Sequence, residues 1–189
     1  MKAKRLWPLL FLLLLLSGCG IVQPNTEKKA AAPYRQDPSQ GVFTAKVSTD
    51  QVARLVQKQL PHAQILKITL SKQGRFYRYN VQARNKQRYY RLSINAMQPI
   101  ITKQSHTKLS KANAAREPLV LTGLKSFSAI KQVAISEIND GHIIAYTLAK
   151  AHRITYYELL ITSRAHHTVR LRIDAKRGNI LERQQVGKS

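Results

Sequence analysis

Tyr90-Arg91-Leu92-Ser93-Ile94-Asn95-Ala96-Met97-Gln98-Pro99-Ile100-Ile101 returns near the C-terminus as Val169-Arg170-Leu171-Arg172-Ile173-Asp174-Ala175-Lys176-Arg177-Gly178-Asn179-Ile180-Leu181. In both copies apolar residues alternate with polar ones (Tyr90, Leu92, Ile94 and Val169, Leu171, Ile173), the period of a half-buried strand, and Asn95 or Asp174 then opens a turn. The chain therefore reads as a tandem repeat.

Working outward from the first copy, Ser48-Thr49-Asp50-Gln51 has the Ser-x-x-Gln form of a capping box. Val52, Leu55, Val56 and Leu60 then make one apolar helical face, and Pro61 stops the helix. Three strands are expected to follow, over residues 64–70, 76–83 and 88–94, with turns at 71–75 and 84–87. The second copy aligns at an offset of 78: Ser126 with Ser48, Ile130 with Val52, Ala134 with Val56, Ile138 with Leu60, Tyr157 with Tyr79. A slip to 79 falls in the turn Ser163-Arg164-Ala165-His166, where an extra residue is tolerated. The second helix is expected to end at Asn139-Asp140-Gly141, with Gly141 as a left-handed cap. The expected fold class is α+β: two repeats, each one helix packed on a three-stranded antiparallel sheet. The boundaries are 47–104 and 126–184, joined by a linker at 105–125 and followed by a tail at 185–189. Domains this small are marginal alone, so the copies should pack on each other or on the linker.

The N-terminal region reads as an address. Met1-Lys2-Ala3-Lys4-Arg5 is a basic leader, residues 6–16 are apolar, and the run is short for a membrane span. It enters Leu16-Ser17-Gly18-Cys19, which resembles the lipobox of bacterial lipoproteins; Cys19 is the lone cysteine of the chain. The resemblance implies a signal peptide at 1–18, diacylglycerol on the Cys19 thiol and a membrane anchor on the extracytoplasmic face. Residues 19–46 carry Pro24, Pro33 and Pro38 with few large apolar groups, the composition of a flexible tether. One cysteine excludes an intramolecular disulfide.

Lys and Arg number 32 against 9 acids, a formal charge of +23. Cleavage would remove Lys2, Lys4 and Arg5, leaving 29 against 9, or +20. Arg78, Arg91, Arg170 and Arg172 lie out of phase with the apolar positions of their strands and form a candidate anion-binding face. Export makes nucleic acid an improbable partner and points instead to anionic wall polymer or membrane lipid.

Catalytic patterns are missing. The six histidines, His62, His106, His142, His152, His166 and His167, fall mostly in turns or the linker, and no HExxH pair occurs. Adjacent His166 and His167 would point to opposite faces of a strand. No Gly-x-Ser-x-Gly elbow is present, and the acids are scattered. No enzyme, metal or cofactor is expected.

A helix followed by antiparallel strands and an Asp-Ala-Lys-x-Gly-x-Ile-like hairpin resembles the PepSY domain, and two copies behind a lipobox resemble tandem PepSY lipoproteins of bacterial envelopes. The motif is carried by Tyr156-Tyr157-Glu158-Leu159 and by Ile173 to Ile180; the first copy keeps Tyr77-Arg78-Tyr79-Asn80-Val81 and Ile94-Asn95-Ala96. It has Pro99 where the family has glycine, so its hairpin should turn differently. The resemblance implies a non-catalytic module that restrains peptidases, by analogy with the propeptides of thermolysin-type metallopeptidases. Two readings follow: a tethered module that binds an envelope protein such as a peptidase, and a basic surface binder of anionic polymer or lipid.

Overall fold

Thr69 and Thr147 face each other across the centre of an eight-stranded antiparallel sheet, ordered β4-β3-β2-β1-β5-β6-β7-β8. The structure is a computed structural model that describes residues 45–139, 141–163 and 167–188. Leu16, Ser17, Gly18 and Cys19, and likewise Asp140 and His166, lie outside the described residues.

The first half contains α1 (Thr49–Gln59), β1 (Gln64–Gln73), β2 (Phe76–Arg84), β3 (Arg88–Asn95) and β4 (Ile101–Lys108). After the short α2 (Lys111–Ala114), the second half repeats it as α3 (Phe127–Glu137), β5 (His142–Ala151), β6 (Ile154–Thr162), β7 (His167–Asp174) and β8 (Ile180–Lys188). The expected pair of three-stranded sheets is thus corrected on two counts. Each half has a fourth strand, and the halves share one sheet because β1 and β5 pair with each other as well as with their hairpin partners.

Physical reasons account for both corrections. Along β4 every residue from Thr102 to Lys108 is exposed, so the strand carries no apolar alternation and is held by backbone pairing to β3. The seam joins Lys67 with Ala149, Ile68 with Leu148, Thr69 with Thr147, Leu70 with Tyr146 and Ser71 with Ala145. Its midpoint pairs a residue with its own equivalent in the other copy, which defines a local twofold axis. One buried cluster runs across the seam, taking in Val52, Val56 and Ile130 from the helices and Ile68, Tyr79, Leu148 and Leu159 from the strands. Merging the sheets gives two marginal halves one core.

Local chemistry sets the element ends. Ser48 and Gln51 form the reciprocal capping box, with Gln51 N–H donating to Ser48 Oγ at 3.2 Å and Ser48 N–H donating to Gln51 Oε1 at 2.8 Å. Ser126 accepts from Ala129 N–H at 3.2 Å, and the alanine cannot reciprocate. Gly141 is not a left-handed cap: a Cβ there would collide with Ile161 and Ile138, so glycine serves a close approach. Asn95 and Asp174 open matching turns, accepting from Met97 N–H at 2.7 Å and from Lys176 N–H at 2.8 Å. Gly178 takes φ +84 in the second turn, whereas at the first Ile100 N–H donates to Gln98 C=O at 2.7 Å around Pro99.

The chain between the halves is pinned rather than loose. Arg84 donates to the carbonyl oxygens of Asn113 and Ala114, Arg116 to Gln82 Oε1 at 2.6 Å, and Leu119 N–H to Ile65 C=O at 2.7 Å. Glu117 pairs with Lys150 at 3.3 Å and accepts from Arg153 N–H at 3.1 Å.

Candidate functional site

The helices cover one face of the sheet; the other carries the polar phase of the strands. Arg78, Arg91, Arg170 and Arg172 all lie in that phase, since their neighbours Tyr77, Tyr79, Leu92, Leu171 and Ile173 are buried in the core. The sheet does not bring the four together. Arg91 on β3 and Arg172 on β7 are five strands apart, a separation of about 24 Å at the usual strand spacing.

Their surroundings also differ. Arg172 donates to Glu158 Oε2 at 2.8 Å and to Glu182 Oε2 at 2.6 Å, lies 5.4 Å from the Tyr156 ring, and is pushed above its ordinary value chiefly by the Glu158 hydrogen bond. Arg170 donates to Gln184 Oε1 at 3.0 Å with Glu158 at 3.9 Å. These two charges are already neutralised by carboxylates. Arg78 donates to Thr102 Oγ1 at 3.0 Å, and exposed Arg91 lies 5.6 Å from the Tyr89 ring.

Charge is therefore concentrated in the first half. Between residues 47 and 108 there are twelve Lys and Arg against the single acid Asp50, while between 126 and 188 there are ten against five. None of those twelve is ion-paired among the described residues. The first half also ends in β4, whose outer edge has no strand beside it among the described residues and whose Lys103, His106 and Lys108 are exposed.

A second feature lies on the helix side, on the local twofold axis. The N-termini of α1 and α3 flank a cleft of about 690 Å³, within the size range of small-molecule sites. Its floor holds Tyr79, Tyr146 and Tyr157. Thr49 Oγ1 donates to Tyr146 Oη at 2.8 Å, Tyr146 to Tyr79 at 3.2 Å, and Tyr79 to Val47 C=O at 2.6 Å. Phe127 stacks on Tyr146 at 4.3 Å between centroids. Burial raises all three phenols, Tyr79 to about 12. The sequence aligns Tyr79 with Tyr157 as equivalent strand positions but does not by itself reveal the cleft. Its signal is the mismatch of Thr49 with Phe127 and of Ile68 with Tyr146 at the offset of 78.

Among the described residues no three His, Cys, Asp or Glu side chains converge as metal ligands, and no helix is long and apolar enough to cross a membrane.

Fold and site together describe a duplicated half-sheet, fused along its inner edges, with helices on one face and an open edge on its more basic half. The same fold is found in the crystal structure of a protein described as a lipoprotein of Clostridium difficile 630, with a TM-score of 0.69 and 19% identity over 75% of this chain and 94% of that one. No family model and no curated protein matches the chain.

Proposed function

We propose that this chain is a tandem PepSY-type lipoprotein, anchored through lipid on Cys19 at the extracytoplasmic face of the cell membrane, and that it is a non-catalytic module that binds or restrains an envelope protein such as a peptidase. The anchor rests on the leader and on Leu16-Ser17-Gly18-Cys19, and the likeness to a protein described as a lipoprotein supports it. One observation carries the binding role: β4 is an edge strand with no further strand beside it among the described residues, exposed from Thr102 to Lys108, in the half of the chain where twelve cations face one acid. An extended segment pairing with β4 would take main-chain hydrogen bonds from the edge and, if acidic, Coulomb attraction from Lys103 and Lys108.

The same charge favours a second reading, a basic surface that holds anionic wall polymer or lipid through Arg78 and Arg91. A photo-crosslinking side chain at Gln104, on β4, separates the two in intact cells. A discrete envelope protein crosslinked even after high salt supports edge docking; retention of polymer or lipid alone, released by salt, overturns it in favour of the electrostatic reading. Cys19→Ala should abolish lipid labelling, and unchanged labelling would refute the anchor.

A further inference from the structure

The turn between β5 and β6 departs from its twin between β1 and β2. At the offset of 78, Gly74 and Arg75 become His152 and Arg153, and both of these residues take positive φ, +49 and +65, where the first turn has only Gly74 at +61. Side chains seldom adopt that conformation, and a carboxylate from the chain between the halves braces it. Arg153 N–H donates to Glu117 Oε1 at 3.1 Å, and Glu117 Oε2 lies 3.3 Å from Lys150 Nζ.

Three further exchanges between the copies meet at this turn. Tyr77, buried in the first copy, becomes the smaller Thr155, which lines a pocket of about 350 Å³. In the turn between β7 and β8, Met97 and Gln98 become Lys176 and Arg177 at the offset of 79, and both line the same pocket. Asp174 Oδ1 accepts from their backbone N–H groups at 2.8 and 2.9 Å, which fixes the turn that carries them.

The pocket keeps a positive balance after every acid at it is counted. Lys150, Arg153, Lys176 and Arg177 line it together with Asp174, and Glu117 offsets Lys150, so four cations stand against two carboxylates, or +2. Arg153, Lys176 and Arg177 form no ion pair among the described residues. Val120 and Ile154 add two apolar groups, 39% and 41% exposed. None of these residues belongs to β4, and neither Arg78 nor Arg91 is among them.

We infer that this pocket binds the phosphate group of a phosphomonoester. Arg153 and Arg177 supply planar donor forks, Lys150 and Lys176 point charges, and Thr155 a hydroxyl donor. A phosphomonoester carries a charge of about −1.5 to −2 near neutral pH, which matches the balance of the pocket, whereas a carboxylate carries half of it. The phosphate is supplied either by a soluble compound or by a lipid headgroup, whose chains Val120 and Ile154 would meet.

The test is isothermal titration of the full chain with glycerol phosphate and, at matched ionic strength, with acetate. Glycerol phosphate should bind about tenfold or more tightly. Lys176→Met with Arg177→Gln, which gives the turn the residue types of the first copy, should weaken its binding about tenfold or more and leave the melting temperature unchanged, since both side chains are exposed. Thr155→Tyr should also weaken it, by filling the pocket with the charge untouched. Lys58→Gln with Lys86→Gln, which removes the same charge at exposed positions elsewhere, should change the affinity by less than about twofold. Vesicles of phosphatidate in phosphatidylcholine then identify the source. Retention weakened by the Lys176 and Arg177 changes points to a lipid headgroup; retention indifferent to them, with glycerol phosphate still bound by the unaltered chain, points to a soluble phosphate. Absence of binding at millimolar glycerol phosphate, equal affinity for acetate, or equal losses in the two double variants would each overturn the proposal.

Discussion

Thr69 Oγ1 and Thr147 Oγ1 lie 3.0 Å apart across the seam, and the two residues are separated by 78 positions, the offset of the repeat itself. Removing one hydroxyl strands the other in a half-buried site, whereas removing both exchanges a polar pair for an apolar one of the same shape. Thr69→Val alone should lower stability by about 1 kcal/mol, and Thr69→Val with Thr147→Val should restore most of it. Denaturant unfolding of the four proteins of the cycle measures the coupling; additive losses would mean that the hydroxyls do not interact.

Because one cluster crosses the seam, the halves should unfold together. Ile68→Ala, at a fully buried position of β1, should lower stability by about 2 to 5 kcal/mol. Hydrogen exchange should show β6 and β7 losing protection by the same amount as β2 and β3. Protection lost in the first half alone would indicate two independent units.

The buried phenols give an alkaline limit. Tyr79 is held at about 12, against an ordinary value of 10.0, chiefly by burial, and Tyr146 and Tyr157 are raised as well. A phenol with a higher value folded than unfolded stabilises the fold in full below the unfolded value, and that contribution disappears as pH rises through the folded value. Stability measured by denaturant unfolding should therefore fall between pH 10 and pH 12. Tyr79→Phe should make the fall shallower. A fall of the same steepness in Tyr79→Phe would contradict the assignment to this phenol.

The four arginines should separate by effect. Arg172→Gln leaves Glu158 and Glu182 without their shared partner and should lower stability by up to about 1 kcal/mol, since the pair is partly exposed. It should leave retention on anionic vesicles unchanged. Arg91→Gln with Arg78→Gln should do the reverse: stability within about 0.5 kcal/mol, and weaker, less salt-dependent retention. Flotation with vesicles of anionic lipid at two salt concentrations distinguishes the patterns.

Period and offset made the repeat, both helices and six strands readable, because apolar alternation in strands such as Tyr77, Tyr79, Val81 and Ala83 reports burial on one face. The β4 sequence Ile101 to Lys108 has only its first residue partly buried, so nothing in its pattern could mark it as a strand. The fusion of the sheets was hidden for another reason. Pairing of β1 with β5 uses main-chain groups, which every sequence carries; what could have hinted at it is that the core-facing positions Ile65, Ile68 and Leu70 bear none of the inward charge or proline that guards a free edge. Phase placed the arginines on the polar face, but the glutamates that occupy Arg172 lie 14 and 10 residues away and are brought to it only by strand register.

The seam also bears on ancestry. A single half carries the same inner edge, and two separate copies meeting edge to edge would form an isologous dimer whose folding depended on protein concentration. Covalent union through residues 109–125 makes that encounter intramolecular, so the fold persists at any dilution. It also releases the copies from identity. In a homodimer a threonine at position 49 would have to appear twice; in this chain one copy keeps Thr49 while the other has become Phe127, so that the recess on the local twofold axis has two unlike walls.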